Sequence, residues 1–250
     1  MSAAEAVTSL LGGRVRLVAH GGLPPTTDTV MLAAATPVGP GARVLEAGCG
    51  SGAASLCLAA RVGDCTVIAV ERDAGLAQAA RTNSEANAMA GRIAVLAADI
   101  AAPPEPWPAP GFDAVMSNPP YLDPARSRGS PDPLRHAATV ESLPLPAWLG
   151  ACAAALRPGG DLVVIHRADR LADLLAGMPA SMGSIAILPL WPGGQGAGAA
   201  RRILVRATRG GRAPLALLPG LVLHGLDGRY TGEAEAVLRD GTALPWTGRG

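Results

Sequence analysis

The chain has 250 residues and is 49% hydrophobic, enough for one large domain, or one domain with a small addition, around a sizeable core. Aromatic residues make up only 3%, so Leu, Val, Ile and Ala must build that core. The net charge is +1, and all 21 basic residues are arginine, so the polycationic field that would by itself mark a nucleic-acid binder is excluded.

The four cysteines, Cys49, Cys57, Cys65 and Cys152, form no C-x-x-C pair and have few histidines to join them, so no metal is expected. The start MSAAEAV lacks a charged n-region followed by an apolar run, and no stretch is long enough to span a bilayer. The expected location is therefore the reducing cytoplasm, without a membrane contact.

In chain order, GGRVRLVAHGG suggests a small β piece. TTDTVMLAAA then opens a helix, with Thr27 or Asp28 as its cap. From residue 43, strand-like and helix-like runs alternate. Strands are expected at 43–47, 66–71, 93–98, 112–117 and 161–166, and helices at 53–61, 74–89, 144–156 and 171–176. Arg157-Pro158-Gly159-Gly160 should end the helix before the fifth strand. Residues 101–111 form a proline-rich loop. This alternation predicts an α/β fold whose parallel sheet is covered on both faces. Residues 184–191 and 202–208, joined by PGGQGAGAA, read as an antiparallel hairpin on the sheet edge. After about residue 210 no period is evident, and a tail is expected that is packed or partly ordered.

The first strand closes on Glu46-Ala47-Gly48-Cys49-Gly50-Ser51-Gly52. Glycines there let the backbone turn sharply beside a ligand, and the helix that follows points its free N–H groups at it. Glu71 ends the second strand, where an acid can accept from both hydroxyls of a ribose. Asp99 follows the third strand, where it can accept from an adenine amino group. Each acid alone could simply cap a helix. Three polar groups at one sheet edge favour a ligand.

The spacing is E-x-G-x-G-x-G rather than the dinucleotide G-x-G-x-x-G. It resembles the loop of class I S-adenosylmethionine-dependent methyltransferases. The resemblance implies a Rossmann-like, seven-stranded, mostly parallel sheet with an antiparallel C-terminal hairpin, and S-adenosyl-L-methionine as cofactor. Glu46, Gly48, Gly50 and Gly52 would hold its amino-acid end. Glu71 and Asp99, with their neighbours Arg72 and Ile100, would hold its nucleoside.

The fourth strand stops at Asn118-Pro119-Pro120-Tyr121. Prolines end strands, but neither Asn118 nor Tyr121 is needed for that. The four resemble the N-P-P-Y motif of methyltransferases that modify planar NH2 groups. Such a nitrogen has a delocalised lone pair and is a poor nucleophile. The Asn118 side-chain oxygen and the Pro119 carbonyl can each accept one N–H, fixing the nitrogen and aiming its lone pair. Tyr121 can stack on the target's flat face.

Thr26-Thr27-Asp28-Thr29-Val30-Met31-Leu32-Ala33-Ala34 and the tail from Arg206 onward resemble bacterial tRNA adenine-N6 methyltransferases that act beside the anticodon of a valine tRNA. The resemblance implies tRNA as partner and places Thr27 and Asp28 near the cofactor; for Asp28, a plain helix cap is an equal alternative. It divides the chain into an N-terminal extension covering the cofactor site (1–42), a methyltransferase domain (43–209) and a tail (210–250). Where relatives show Arg-x-Ala-Arg-His-Glu, this chain has Leu134-Arg135-His136-Ala137-Ala138, so the role of that acid is not carried over. His136 could line the substrate mouth, with a surface loop residue as the favoured alternative. Arg126, Arg128 and Arg135 could meet RNA phosphates around a flipped base, and Arg201, Arg202, Arg206, Arg209 and Arg212 form a second cluster. With so few aromatics, recognition would be of RNA shape and one extruded base. The alternatives are a protein-glutamine methyltransferase, disfavoured because only 42 residues precede Arg43, and a non-catalytic cofactor- or RNA-binding protein.

Overall fold

The structure is a computed structural model, which describes residues 7–18, 24–103, 107, 111–120, 143–193 and 198–247. A parallel core of four strands sits at its centre: β3 (Arg43–Ala47), β4 (Thr66–Glu71), β5 (Ile93–Ala97) and β6 (Phe112–Ser117). β7 (Leu156–Arg167) continues in parallel, and β8 (Met182–Trp191) and β9 (Arg202–Arg209) form the expected antiparallel hairpin. Across the sheet the order is β8-β9-β7-β6-β3-β4-β5. Outside the sheet, β1 (Val7–Leu10) and β2 (Val15–Val18) pair as a small antiparallel hairpin.

Strand side chains alternate between two faces, and both faces are buried. Val44, Ala114, Met116, Val163 and Ile165 pack on one side, against α1 (Thr27–Ala35) and α2 (Ala53–Arg61). Leu45, Val115, Leu162 and Val164 pack on the other, against α4 (Leu145–Ala155) and α5 (Leu171–Ala176). α3 (Ala74–Ala86) joins β4 to β5 and lies beside β2. Asn83 and Asn87 stand one turn apart on the face of α3 that meets β2. Their side-chain oxygens accept from Val18 N and Arg16 N, both at 2.9 Å, so the helix serves the β2 backbone as a neighbouring strand would.

Several expectations need correction. The third helix ends at Ala86 rather than 89, because Asn87 caps it and Ala88 takes φ +55°. Arg157-Pro158-Gly159-Gly160 does not separate helix from strand. It bulges inside β7, whose Leu156 pairs with Phe112 and whose Asp161 pairs with Ala114. Gly160 is needed there, since a Cβ would stand 2.8 Å from Phe112 O. Neither Thr27 nor Asp28 caps α1: Thr26 is the flanking residue, and its side chain makes no capping bond.

The tail is the largest difference. Two short strands, β10 (Ala216–Leu217) and β11 (Leu221–Val222), pair parallel with β8 and extend the seven expected strands to nine among the described residues. Helix α6 (Gly232–Asp240) follows, capped by Thr231 and closed by Gly241 at φ +68°. The chain then runs under α1, a helix buried from Val30 to Ala35. The last carbonyls of such a helix need partners from elsewhere. Arg61 Nη2 donates to Ala33 O at 3.0 Å, Leu244 N to Ala34 O at 2.9 Å, and Trp246 Nε1 to Ala35 O at 2.6 Å. Trp246→Phe keeps the ring but leaves Ala35 O buried and unpaired. It should lower stability by about 1–3 kcal/mol, read from urea unfolding.

Candidate active site

The chain steps from β3 to β4 to β5 in one direction and then crosses back to β6 on the other side of β3. Connections diverge at that point, opening a crevice at the C-terminal strand ends. Ala47 lies level with Ser117 on one side and Val70 on the other, and Glu71 lies level with Ala97. The residues after those tips therefore meet around one cavity of about 310 Å³. Of the expected site residues, Gly48, Gly50, Glu71, Arg72, Asp99, Ile100, Asn118 and Pro120 line it.

The glycine loop is held from β4. Val70 O accepts from both Gly48 N and Cys49 N at 2.9 Å, and Gly52 N returns to Cys49 O at 2.8 Å. Gly48, Gly50 and Gly52 all have positive φ, at +74°, +53° and +81°. A Cβ on Gly52 would stand 3.1 Å from Ala80 Cβ, so this glycine sets how closely α2 approaches α3. Around Gly50 no atom lies within 4 Å of where a Cβ would be, leaving its open side to the cavity.

Glu71 is fixed by the loop it faces. Gly50 N donates to Oε2 and Asp73 N to Oε1, each at 2.9 Å. A carboxylate oxygen accepts two bonds, so each retains capacity for a hydroxyl, as a vicinal diol requires. Asp73 caps α3 by accepting from Leu76 N at 2.8 Å, and Asp99 Oδ1 accepts from Ala101 N at 2.9 Å. A cradle without side-chain bulk at Gly50, followed across the sheet edge by acids at the next two strand ends, fits a nucleoside cofactor with a ribose and a purine amine.

Other expected residues lie apart from the cavity lining. Asp28 is paired with Arg202 at 2.6 Å. Thr27 opens α1, Gly52 sits behind the loop, and Pro119 is buried. Glu46 is on the α2 face of β3, 4% exposed, where Oε2 accepts from Ser55 N at 2.9 Å and from the Ser55 hydroxyl. Tyr121, Arg126, Arg128, Arg135 and His136 lie outside the described residues. In the second arginine cluster, Arg202 holds Asp28, Arg206 lies over the Trp246 ring at 5.3 Å, and Arg209 donates to Leu156 O, so these three serve the fold. Arg201 and Arg212 are exposed.

Leu143 and Trp148 also line the cavity and were not anticipated. Trp148 Nε1 donates to Ser117 Oγ at 3.0 Å. The available signal was one tryptophan in the otherwise aliphatic run LPAWLGACAAA.

Burial pushes the Glu46 carboxyl up to about 8, against the Ser55 hydrogen bonds, which favour its charged form. The folded protein thus keeps this proton up to about pH 8, whereas the unfolded chain releases it near 4.5. Its contribution to stability is complete below the lower value and is lost as pH rises through the upper one. Thermal unfolding midpoints should therefore fall between pH 5 and pH 9, and Glu46→Gln should flatten that fall.

Residues 44–129 match the family described as "Methyltransferase domain". Among curated proteins, the chain is 35% identical over 147 residues to the tRNA1(Val) (adenine(37)-N6)-methyltransferase of Aeromonas hydrophila, covering 56% of this chain and 57% of that one. It is 38% identical over 136 residues to the protein of the same name in Cronobacter sakazakii, covering 52% of each. The chain thus spans little more than half the length of these relatives. Among solved structures, a protein from Agrobacterium tumefaciens titled a "predicted O-methyltransferase" superposes with a TM-score of 0.72 at 26% identity, over 87% of this chain and 98% of that one. TrmN from Thermus thermophilus shares the fold at a TM-score of 0.52 and 23% identity, over 73% and 48%. With its domain match, its strand order and its loop-lined crevice, the chain has the class I, Rossmann-like fold of a methyltransferase.

Proposed function

We propose that this protein transfers a methyl group from S-adenosyl-L-methionine to the exocyclic N6 of an adenine in tRNA, beside the anticodon. The observation that carries the reading is that Asn118 opens on the same cavity as Gly50, Glu71 and Asp99. When bound, the cofactor supplies an electrophilic methyl on a sulfonium. This chain's residues do the rest. Glu71 receives the ribose hydroxyls, Asp99 and Ile100 receive the adenine, and Gly48 and Gly50 give the backbone close approach. Arg72 borders the same end. Glu46, neutral behind the loop, supports Ser55 at the start of α2.

At the acceptor end, Asn118 Oδ1 and the Pro119 carbonyl each take one N–H of the amine. That holds the nitrogen, weakens its conjugation with the ring and directs its lone pair into the cavity. No strong base is required, because the proton becomes acidic once the nitrogen carries the new methyl. Tyr121 stacks on the extruded base, and Arg126, Arg128 and Arg135 bind phosphates around it. The pair of acceptors suits an NH2, which presents two N–H donors, better than a hydroxyl, which presents one. The name shared by the curated relatives supports adenine in tRNA as the acceptor. No helix among the described residues is long and apolar enough to cross a membrane, and a tRNA substrate implies a cytoplasmic site of action.

The test is methyl transfer from labelled cofactor to total tRNA, with the product identified by mass spectrometry of nucleosides. N6-methyladenosine should appear. Asn118→Ala should lower kcat by at least ~100-fold while calorimetric affinity for S-adenosylhomocysteine is retained. Glu71→Ala should do the reverse in kind, raising the cofactor Kd by ~10-fold or more for the loss of charge-assisted hydrogen bonds. Methylation of a glutamine amide in a release-factor peptide, with tRNA untouched, would overturn the adenine assignment.

A further inference from the structure

Trp148 touches both halves of the site. Its ring atoms Cη2 and Cζ2 stand 3.1 and 3.2 Å from where a Cβ on Gly48 would be. Its Nε1 donates to Ser117 Oγ at 3.0 Å, and the Ser117 hydroxyl donates onward to Ala47 O at 2.8 Å. Ser117 is fully buried and immediately precedes Asn118; Ala47 immediately precedes Gly48. Strand alternation explains the meeting. Ala47 and Ser117 are level in the β3–β6 register and face the α4 side of the sheet, where Trp148 occupies the first turn of the helix.

A packing role alone does not account for this arrangement. Phe or Leu would fill the space without an N–H that needs a buried partner, and the indole borders the cavity instead of being sealed in the core. We propose that Trp148 is a positioning residue for methyl transfer. Its indole braces the glycine loop, which holds the cofactor, against the strand end that carries Asn118, which holds the acceptor nitrogen. This inference rests on the N-methyltransferase reading above. The Trp148–Ser117–Ala47 chain fixes the separation of the two reactants, on which transfer depends steeply.

The experiment compares Trp148→Phe, Ser117→Ala and the double variant. Each single variant should lower kcat by ~10-fold, and the double variant no further, as for groups that act as one unit. The KM for cofactor and the calorimetric Kd for S-adenosylhomocysteine should stay within about threefold, since the contacts made by Glu71 and Asp99 are untouched. A purely structural role would instead lower the unfolding midpoint and leave kcat of the folded fraction unchanged. A second measurement is independent of turnover. In protein labelled with 15N-tryptophan, the indole resonance missing from Trp148→Phe should move on adding S-adenosylhomocysteine and on Ser117→Ala. Unchanged kcat in both single variants, or an indole resonance that neither change moves, overturns the proposal. If the wild-type protein methylates no tRNA, the adenine reading fails, and the indole resonance alone decides whether the brace exists.

Discussion

Parallel strands all end at the same edge of a sheet, and the site depends on how four of them end. β6, β3, β4 and β5 lie side by side in a register that levels Ser117, Ala47 and Val70, with Ala97 beside Glu71. Each chain segment leaving this edge must turn at once, and each turn exposes backbone groups that need partners. Val70 O answers two N–H groups of the glycine loop, Glu71 answers Gly50, and Ser117 answers Ala47. The loop is therefore shaped mainly by its neighbours. Its own sequence supplies the permission to turn, through three glycines with positive φ.

The rest of the molecule keeps this edge in place. α1 is apolar and buried from Val30 to Ala35, so its C-terminal carbonyls cannot turn to water. The segment after α6 reaches them from some two hundred residues away, through Leu244 and Trp246. Arg202 ties β9 to Asp28 at the start of the same helix. Arginines that an electrostatic reading would offer to RNA are in part used here, Arg202 on Asp28 and Arg206 over the Trp246 ring. On the opposite side, Asn83 holds Val18 with its oxygen and Ser51 O with its nitrogen, linking the N-terminal hairpin to the glycine loop through one buried amide.

Much of this was readable from residues alone. The alternation of apolar runs located the seven main strands, because short continuous apolar runs that stop at glycine, proline or an acid stand apart from the alanine-rich runs between them. The acids at the ends of β4 and β5 and Asn118 after β6 were visible as polar groups where an apolar run stops, and the structure gathers Glu71, Asp99 and Asn118 at one cavity. The tail was not read, although Thr231, the acids after it and Gly241 are cap signals, because its two-residue strands are too short to show any period. Arg157-Pro158-Gly159-Gly160 misled for a different reason. A proline and two glycines can stop a strand or bulge within one, and only the Phe112 and Asp113 carbonyls packed around Gly160 select the bulge.

By itself, the sequence determined the class of fold, the order of its central elements and the residue types at the strand ends, since these follow from local periodicity and from where glycine, proline and acid interrupt it. The tertiary structure decided which of those residues share a cavity. Glu46 and Glu71 both belong to strand ends next to the glycine loop, yet one faces α2 and loses its charge while the other faces the crevice and stays available. Trp148 came to the site from a helix whose one sign of it was a single tryptophan in an aliphatic run. Which face a side chain points to, and what stands opposite, depends on strand register and on helices distant in sequence, and no local pattern carries that information.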